Sequence, residues 1–483
     1  MSKQLLSTAL LTIAISFNAI AGEKEEELIA KVTTAYGGDA LVNLQSYQVD
    51  EEYLGPTTGQ GHSPLLDEIG LSRQVLVVDI TNNRSVYDTW GRGRGGENQN
   101  STVSDGEHAH TINYPAGTYG EAGNADPHVF AGGTMRTSDA VLVYELNKVR
   151  DEATLGDDES YMNRNHHTLT MPFPSSPDLK LYIDAESHLF SKMVRVNPQL
   201  GNLDYVYSNY KQHNGITYAS NINFFIAGVP NLISTRHELQ FNNEYPAEAF
   251  AIPEGLREED ERIDASEMLV NKISDRVYHV GQNGGFTMFV DTNIGIVAAG
   301  GYPALTDRFA RFQEESENYK PLKYQVVTHH HSDHIGGVGE AVTLGAQLVT
   351  VNENVETITD GISPTPEGRD FFTVGPRTTF GEGKNRVEIY EVSTIHSDSF
   401  LVTYVPAEKT IFIADHMGSP YAKAIPVANA GTVDMLSELD RLGLDVKKIA
   451  TAHNARIFTI QDMRASVAAY QPVSCTADRP VCR

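Results

Sequence analysis

The chain has 483 residues and a formal charge of −26 at neutral pH, with 40% hydrophobic and 21% charged residues. That length exceeds one ordinary core and predicts two to three domains, and the composition is that of a globular protein. The acidic excess repels phosphate backbones and anionic lipid, which argues against a nucleic-acid or membrane-surface partner.

Residues 1–21 carry Lys3, an apolar run over 5–15 and then Ala19-Ile20-Ala21. This is the layout of a cleavable secretory signal, cut after Ala21. The run is too short to span a bilayer, so no stable membrane insertion is expected and the mature protein is predicted to be periplasmic or secreted. Residues 22–262 read as a β-rich amino-terminal domain. A helix is expected over 25–36, where Leu28, Ile29 and Val32 share a face. Alternating segments follow, such as LVVDITNNRSVYDTW, HTLTMPF and LDYVYSNYKQHNGITYASNINFF, with turns at Thr81-Asn82-Asn83 and His213-Asn214-Gly215. They predict a meander of long antiparallel strands forming a curved sheet or half-barrel. The patch GRGRGG at 91–96 formally matches G-x-G-x-x-G, but no apolar helix follows it, so it reads as a flexible loop and not a nucleotide site. His108, His110, His166 and His167 lack partners at metal-motif spacing and read as solvated loop residues, with His108 and His110 near the mouth of any cleft.

A charged stretch over 253–266 marks the boundary, and a catalytic domain is expected over 265–470. There the pattern alternates strands (RVYHVG, TMFVDT, GIVAAG) with helices at 305–315 and after a Thr432 cap, ended by Gly443. Cys475 and Cys482 are the only cysteines. In an exported chain they predict a local disulfide clasping the tail, residues 471–483.

The chemistry concentrates in YQVVTHHHSDHIGGV, residues 324–338. A β-branched run ends where His329, His331, Asp333 and His334 begin. A tight loop after a strand aims His329 and His331 at one point and Asp333 and His334 at a second. Imidazole with carboxylate suits zinc, with iron or manganese as alternatives, better than calcium or magnesium. Gly336 and Gly337 let backbone pass close to the cluster. Three further residues follow strand-like runs in order: His396 in EVSTIHSDSF, Asp415 in TIFIADH and His453 in KKIATAHNAR.

H-x-H-x-D-H with Gly-Gly, followed by that His, Asp and His, resembles the metallo-β-lactamase superfamily over roughly residues 273–470. The resemblance implies an α+β chain whose second domain is an αβ/βα sandwich with metal loops at one edge. It implies His329, His331 and His396 around one zinc, and Asp333, His334 and His453 around a second. Asp415 would bridge the two, and Asp333 would orient a nucleophilic water whose pKa the dications lower. One departure stands out: GIVAAGGYP has Ala or Gly, near Gly300, where the family usually places a supporting Asp. His330 and His416, beside ligands, are expected to pack around the site, with assistance to catalysis as the alternative. True β-lactamases of the superfamily carry Cys or Ser at the place of Asp415. The bridging Asp resembles lactonases, thioesterases and other ester-cleaving members, some with a separate Tyr, for which Tyr421 is the candidate here. The expectation is an exported dinuclear zinc hydrolase of a small-molecule ester, lactone, thioester or amide. The alternatives are a β-lactam hydrolase, or an envelope protein that binds an apolar ligand through its amino-terminal domain. The pattern specifies neither the substrate nor an oligomeric state.

Overall fold

In the computed structural model, which describes residues 24–57, 59–66, 68–93, 96–198 and 200–472, the alternating runs of the first half build one sheet of fifteen strands. Two antiparallel meanders meet edge to edge. One starts with β1 (Ser46–Pro56) and β2 (Ile69–Asp79) and runs through Arg84–Gly93 to Thr118–Glu121; the other runs from Arg164–Met171 to Val229–Phe241. β1 pairs with Val229–Phe241, setting Tyr47 opposite Phe241 and Val49 opposite Leu239. All four are buried, because residues two apart on a strand share a face. That face packs against a helix over 24–36, which contributes Leu28, Ile29, Val32 and Tyr36.

Three departures from the sequence reading have physical causes. The helix Asp139–Lys148 was not anticipated, because DAVLVYELNK carries β-branched residues and no clean apolar stripe. Ala140, Val141, Leu142 and Val143 are all fully buried, so its helicity comes from tertiary packing. Asp139 anchors it, accepting from the Tyr36 hydroxyl at 2.8 Å and the Ala219 amide at 3.0 Å. The described residues of the glycine patch lie in paired strands: Gly91 pairs with Asn98 and Gly93 with Gly96. Polar residues that looked loop-like therefore form the strand Gly96–Ser104, paired on both sides. His166 and His167 lie in the strand Arg164–Met171, and His166 is buried against Ser191 at 2.9 Å; neither is a loop residue.

The second half forms two further sheets, of seven strands from Leu269–Lys272 to Phe371–Thr373 and of six from Arg377–Phe380 to Phe458–Thr459. Met288 and Val290 face the six-stranded sheet and meet Val402 and Phe412, while Phe289 faces outward onto Phe309 and Phe312 of the helix Leu305–Ser316. The strand period of two thus gives one core between the sheets and another beneath the helix. The helix Ala430–Leu442 is capped by Asn429, one turn before the expected Thr432, which instead completes a capping box; Gly443 ends it in the left-handed conformation. Among the described residues no helix is long and apolar enough to cross a membrane. The leader expected over 1–21 and the disulfide expected between Cys475 and Cys482 fall outside the described residues.

Candidate metal centre

The strands Leu322–Val326, Val387–Val392, Thr410–Phe412 and Lys448–Ala450 all end at the same edge of the two sheets. The loops that leave them carry the seven side chains singled out from the sequence. Two groups form, His329 with His331, His396 and Asp415, and Asp333 with His334 and His453; within each group the donor atoms lie within 4.8 Å of one another. Two backbone features hold these loops close. Gly337 donates to the Gly301 carbonyl at 2.7 Å, and a Cβ on Gly337 would meet the Tyr302 carbonyl at 1.9 Å. This close approach is why Gly-Gly follows the histidine loop. Ala414, fully buried just before Asp415, has φ +42°, a left-handed conformation that surrounding packing must impose on a non-glycine residue.

Asp415 stands between the groups with one oxygen toward each. Its Oδ2 is 2.8 Å from His396 Nε2 and 3.2 Å from His329 Nε2; its Oδ1 is 2.8 Å from His453 Nε2 and 2.9 Å from His334 Nε2. His329 Nε2 and His396 Nε2 are themselves 3.1 Å apart. Burial, with His334 beside it, pushes His329 well below the usual imidazole range, and burial with His396 pushes His331 down to about 4. These imidazoles are therefore neutral donors near pH 7. Burial opposes charge on Asp415, but the surrounding His334, His329 and His396 hold its carboxyl well below the usual carboxylate range.

Protonation states follow from the partners. His331 Nε2 lies 2.9 Å from the Gly61 carbonyl, which can only accept, so Nε2 carries the hydrogen and Nδ1 the lone pair. That Nδ1 is buried with no hydrogen-bond partner. Tyr302 donates its hydroxyl to Asp333 Oδ2 at 3.1 Å, so His453 Nδ1, 3.2 Å from the tyrosine oxygen, is the donor to that oxygen, while its Nε2 faces Asp415 Oδ1 at 2.8 Å. His334 Nε2 and Asp415 Oδ1 lie 2.9 Å apart, yet neither makes a well-formed hydrogen bond. The unpartnered, buried His331 Nδ1, His334 Nε2 and Asp415 Oδ1, converging with the other imidazoles, fit cations on either side of Asp415.

The metallo-beta-lactamase superfamily model matches residues 300–453, which contain all seven side chains. This segment is a metallo-β-lactamase superfamily domain. Solved structures similar to part of the chain include the metallo-beta-lactamase from Pontibacter korlensis, at 22% identity over 42% of this chain and 98% of that one, with a TM-score of 0.34. VMB-1 is 18% identical over 42% of this chain and 96% of its own, with a TM-score of 0.34. The DIM-1 metallo-beta-lactamase is 14% identical over 42% and 96%, with a TM-score of 0.33. No curated protein matches the sequence.

Within the superfamily domain, the residues flanking the ligand set have defined partners. His416 donates from Nδ1 to the Ile413 carbonyl at 3.1 Å and accepts at Nε2 from Thr394 at 2.8 Å, leaving neither nitrogen free for a leaving group. His330 donates from Nε2 to the Gly61 carbonyl at 2.9 Å and is buried. Both therefore support the ligand loops. Tyr421 is remote in role: its hydroxyl accepts from Arg262 at 3.2 Å, where the chain leaves the large sheet.

The tyrosine at the centre is Tyr302. Its ring stands edge-on to His334 and His453, with centroids 5.5 and 5.3 Å away. Burial and the Asp333 carboxylate raise its hydroxyl far above the usual phenol range, so it stays a donor. The signal for it lay in GIVAAGGYP, where the supporting Asp is missing and a hydroxyl two residues beyond Gly300 meets the second group. The other group that sequence reasoning missed comes from the amino-terminal sheet. Thr57, Gln60 and Glu68, from the β1–β2 connection, line a cleft of about 190 Å³ together with His331, His396 and Asp415. No spacing in the sequence links this connection to the histidines.

Proposed function

We propose that this chain is an exported dinuclear metallohydrolase that cleaves a small ester, lactone, thioester or amide. The observation that carries the reading is Asp415, whose two oxygens face two different donor groups. His329, His331 and His396 would hold one zinc and Asp333, His334 and His453 the other, with iron or manganese as the alternatives for this donor set. When bound, such a pair polarises the scissile carbonyl and lowers the pKa of a water near it.

The chain's own residues do the rest. Asp415 keeps the two groups in register. Asp333 is held from both sides, Oδ1 by Gln60 at 2.9 Å and Oδ2 by Tyr302, so it is oriented to take the proton of the attacking water and pass it to the leaving group. Tyr302, kept protonated, supplies a hydrogen bond at the same point. The open cleft, bounded by Thr57, Gln60 and Glu68, limits the substrate to a small molecule. Export rests on residues 1–21, and sequencing the amino terminus of the protein recovered outside the cytoplasm should begin at Gly22; an intact leader contradicts it.

Turnover against a panel of lactones, thioesters, simple esters, β-lactams and phosphodiesters tests the reaction class. The expected result is hydrolysis of a carbonyl substrate other than a β-lactam, abolished by chelation and restored by zinc. Activity confined to phosphodiesters, or carbonyl hydrolysis indifferent to chelation, would overturn the proposal.

A further inference from the structure

The connection between β1 and β2 touches two of the four loops that carry the candidate metal donors, those of His331 and His396. Gly61 sits 269 and 270 residues from His330 and His331 and accepts an Nε2 hydrogen from each at 2.9 Å. Gln60 Nε2 donates to Asp333 Oδ1 at 2.9 Å and to Ser332 Oγ at 3.1 Å, and the Ser332 amide donates to the Gly59 carbonyl at 3.0 Å. One residue further, His62 turns to the other loop: its Nε2 donates to the Thr394 carbonyl at 2.9 Å, and its carbonyl accepts from the Asp398 amide at 3.0 Å. Thr394 and Asp398 each lie two residues from His396. Four consecutive residues, 59–62, are thus hydrogen-bonded to the segments that present His331, Asp333 and His396.

From these contacts we infer that the amino-terminal sheet is a working part of the metal centre, with residues 59–62 as positioning residues for its donors; this rests on the metallohydrolase reading above. The Gly61 carbonyl fixes the hydrogen of His331 on Nε2, which leaves Nδ1 as the only atom that can ligate. A free imidazole divides itself between tautomers and rotates, so a fixed acceptor selects the productive form before the cation arrives. Gln60 does the same for Asp333: with Oδ1 engaged, Oδ2 is left facing His334 at 3.3 Å and His453 at 3.7 Å. The loop itself is built to hold this position. Gly61 is buried, and a Cβ there would meet the Leu66 carbonyl at 2.4 Å, so the chain doubles back tightly where it presents its carbonyl. The strands on either side extend the support, since β1 and β2 pair over their whole length, from Ser46 opposite Asp79 to Pro56 opposite Ile69. The same connection forms one wall of the cleft through Thr57, Gln60 and Glu68, so it also bears on which substrates enter.

The test uses the full chain and two variants, Gln60→Leu, which keeps length and loses the donor, and a replacement of residues 59–66 by Asn-Gly, which removes the Gly61 carbonyl as well. Gln60 is exposed, so its variant should fold normally, and melting of the metal-free proteins checks this for both. Zinc affinity is read by competition with a chromophoric chelator, and kcat and KM are measured separately on the substrate found for the parent protein. Parent protein that binds two zinc ions, with Gln60→Leu roughly 10–100-fold weaker at one of them and the loop replacement weaker at both, supports the inference. Unchanged affinity and unchanged kcat in both variants, against a parent that binds two, overturns it and leaves the metallohydrolase reading intact. Parent protein that binds no metal removes both. A rise in KM alone, with metal affinity unchanged, reduces the loop to a cleft wall and overturns its positioning role.

Discussion

Replacing Asp415 by alanine is expected to eliminate one of two bound metal ions and to lower kcat/KM by about a thousandfold or more, on the order of 4 kcal/mol of barrier. The size follows from its place. Among the described residues it is the one side chain that approaches His329, His396, His334 and His453 together, each within 3.2 Å of one or other oxygen. Without it, the buried His329 and His334 and the half-buried His396 and His453 lose the carboxylate that would offset bound cations, and no neighbouring acid among the described residues takes its place: Asp333 Oδ2 already lies with the second group. Asp415→Asn separates charge from shape, since it keeps one oxygen and loses the ability to serve both groups. Metal content by elemental analysis, read alongside turnover, checks both variants. Full metal content and full rate in Asp415→Ala would mean that the bridge lies elsewhere.

Tyr302→Phe is expected to cost roughly 10–100-fold in turnover while both metals are retained. The ring, which stands edge-on to His334 and His453, survives the change; only the hydroxyl that joins Asp333 Oδ2 to His453 Nδ1 is lost. Asp333 is then held on one side, by Gln60, and His453 loses the acceptor that fixes its hydrogen on Nδ1. Because the hydroxyl orients groups that move a proton, the loss should fall on kcat more than on KM. A Tyr302→Phe protein with an unchanged kcat would show that Asp333 is oriented without it.

The clustering of the seven His and Asp side chains was legible in the sequence because the segments that carry them follow four strands, and strands ending at one edge of two packed sheets deliver their next residues to a common place. His329, His331, Asp333 and His334 marked the place, since four such side chains within six residues, with Gly-Gly behind them, have few other uses. The meander of the first half was legible from its period of two, and the helix over 24–36 from its apolar spacing. The rest depends on contacts that carry no local signature. Gln60-Gly61-His62 looks like any hairpin connection, and nothing nearby in sequence hints that its carbonyl meets imidazoles some 270 residues away. Tyr302 was hidden for a different reason. A missing Asp signals that another group must serve, but which side chain fills the gap depends on how closely the Gly301 and Gly337 backbones approach. The helix Asp139–Lys148 escaped because its burial on all sides erases the periodicity by which helices are recognised.

If Asp415 joins two metal ions, anomalous diffraction at the zinc edge from crystals of the zinc-loaded protein should show both against its carboxylate. Two peaks are expected, one within about 2.2 Å of Asp415 Oδ2 beside His329, His331 and His396, the other within about 2.2 Å of Oδ1 beside Asp333, His334 and His453. A single peak, or two peaks of which neither or only one touches Asp415, would contradict it.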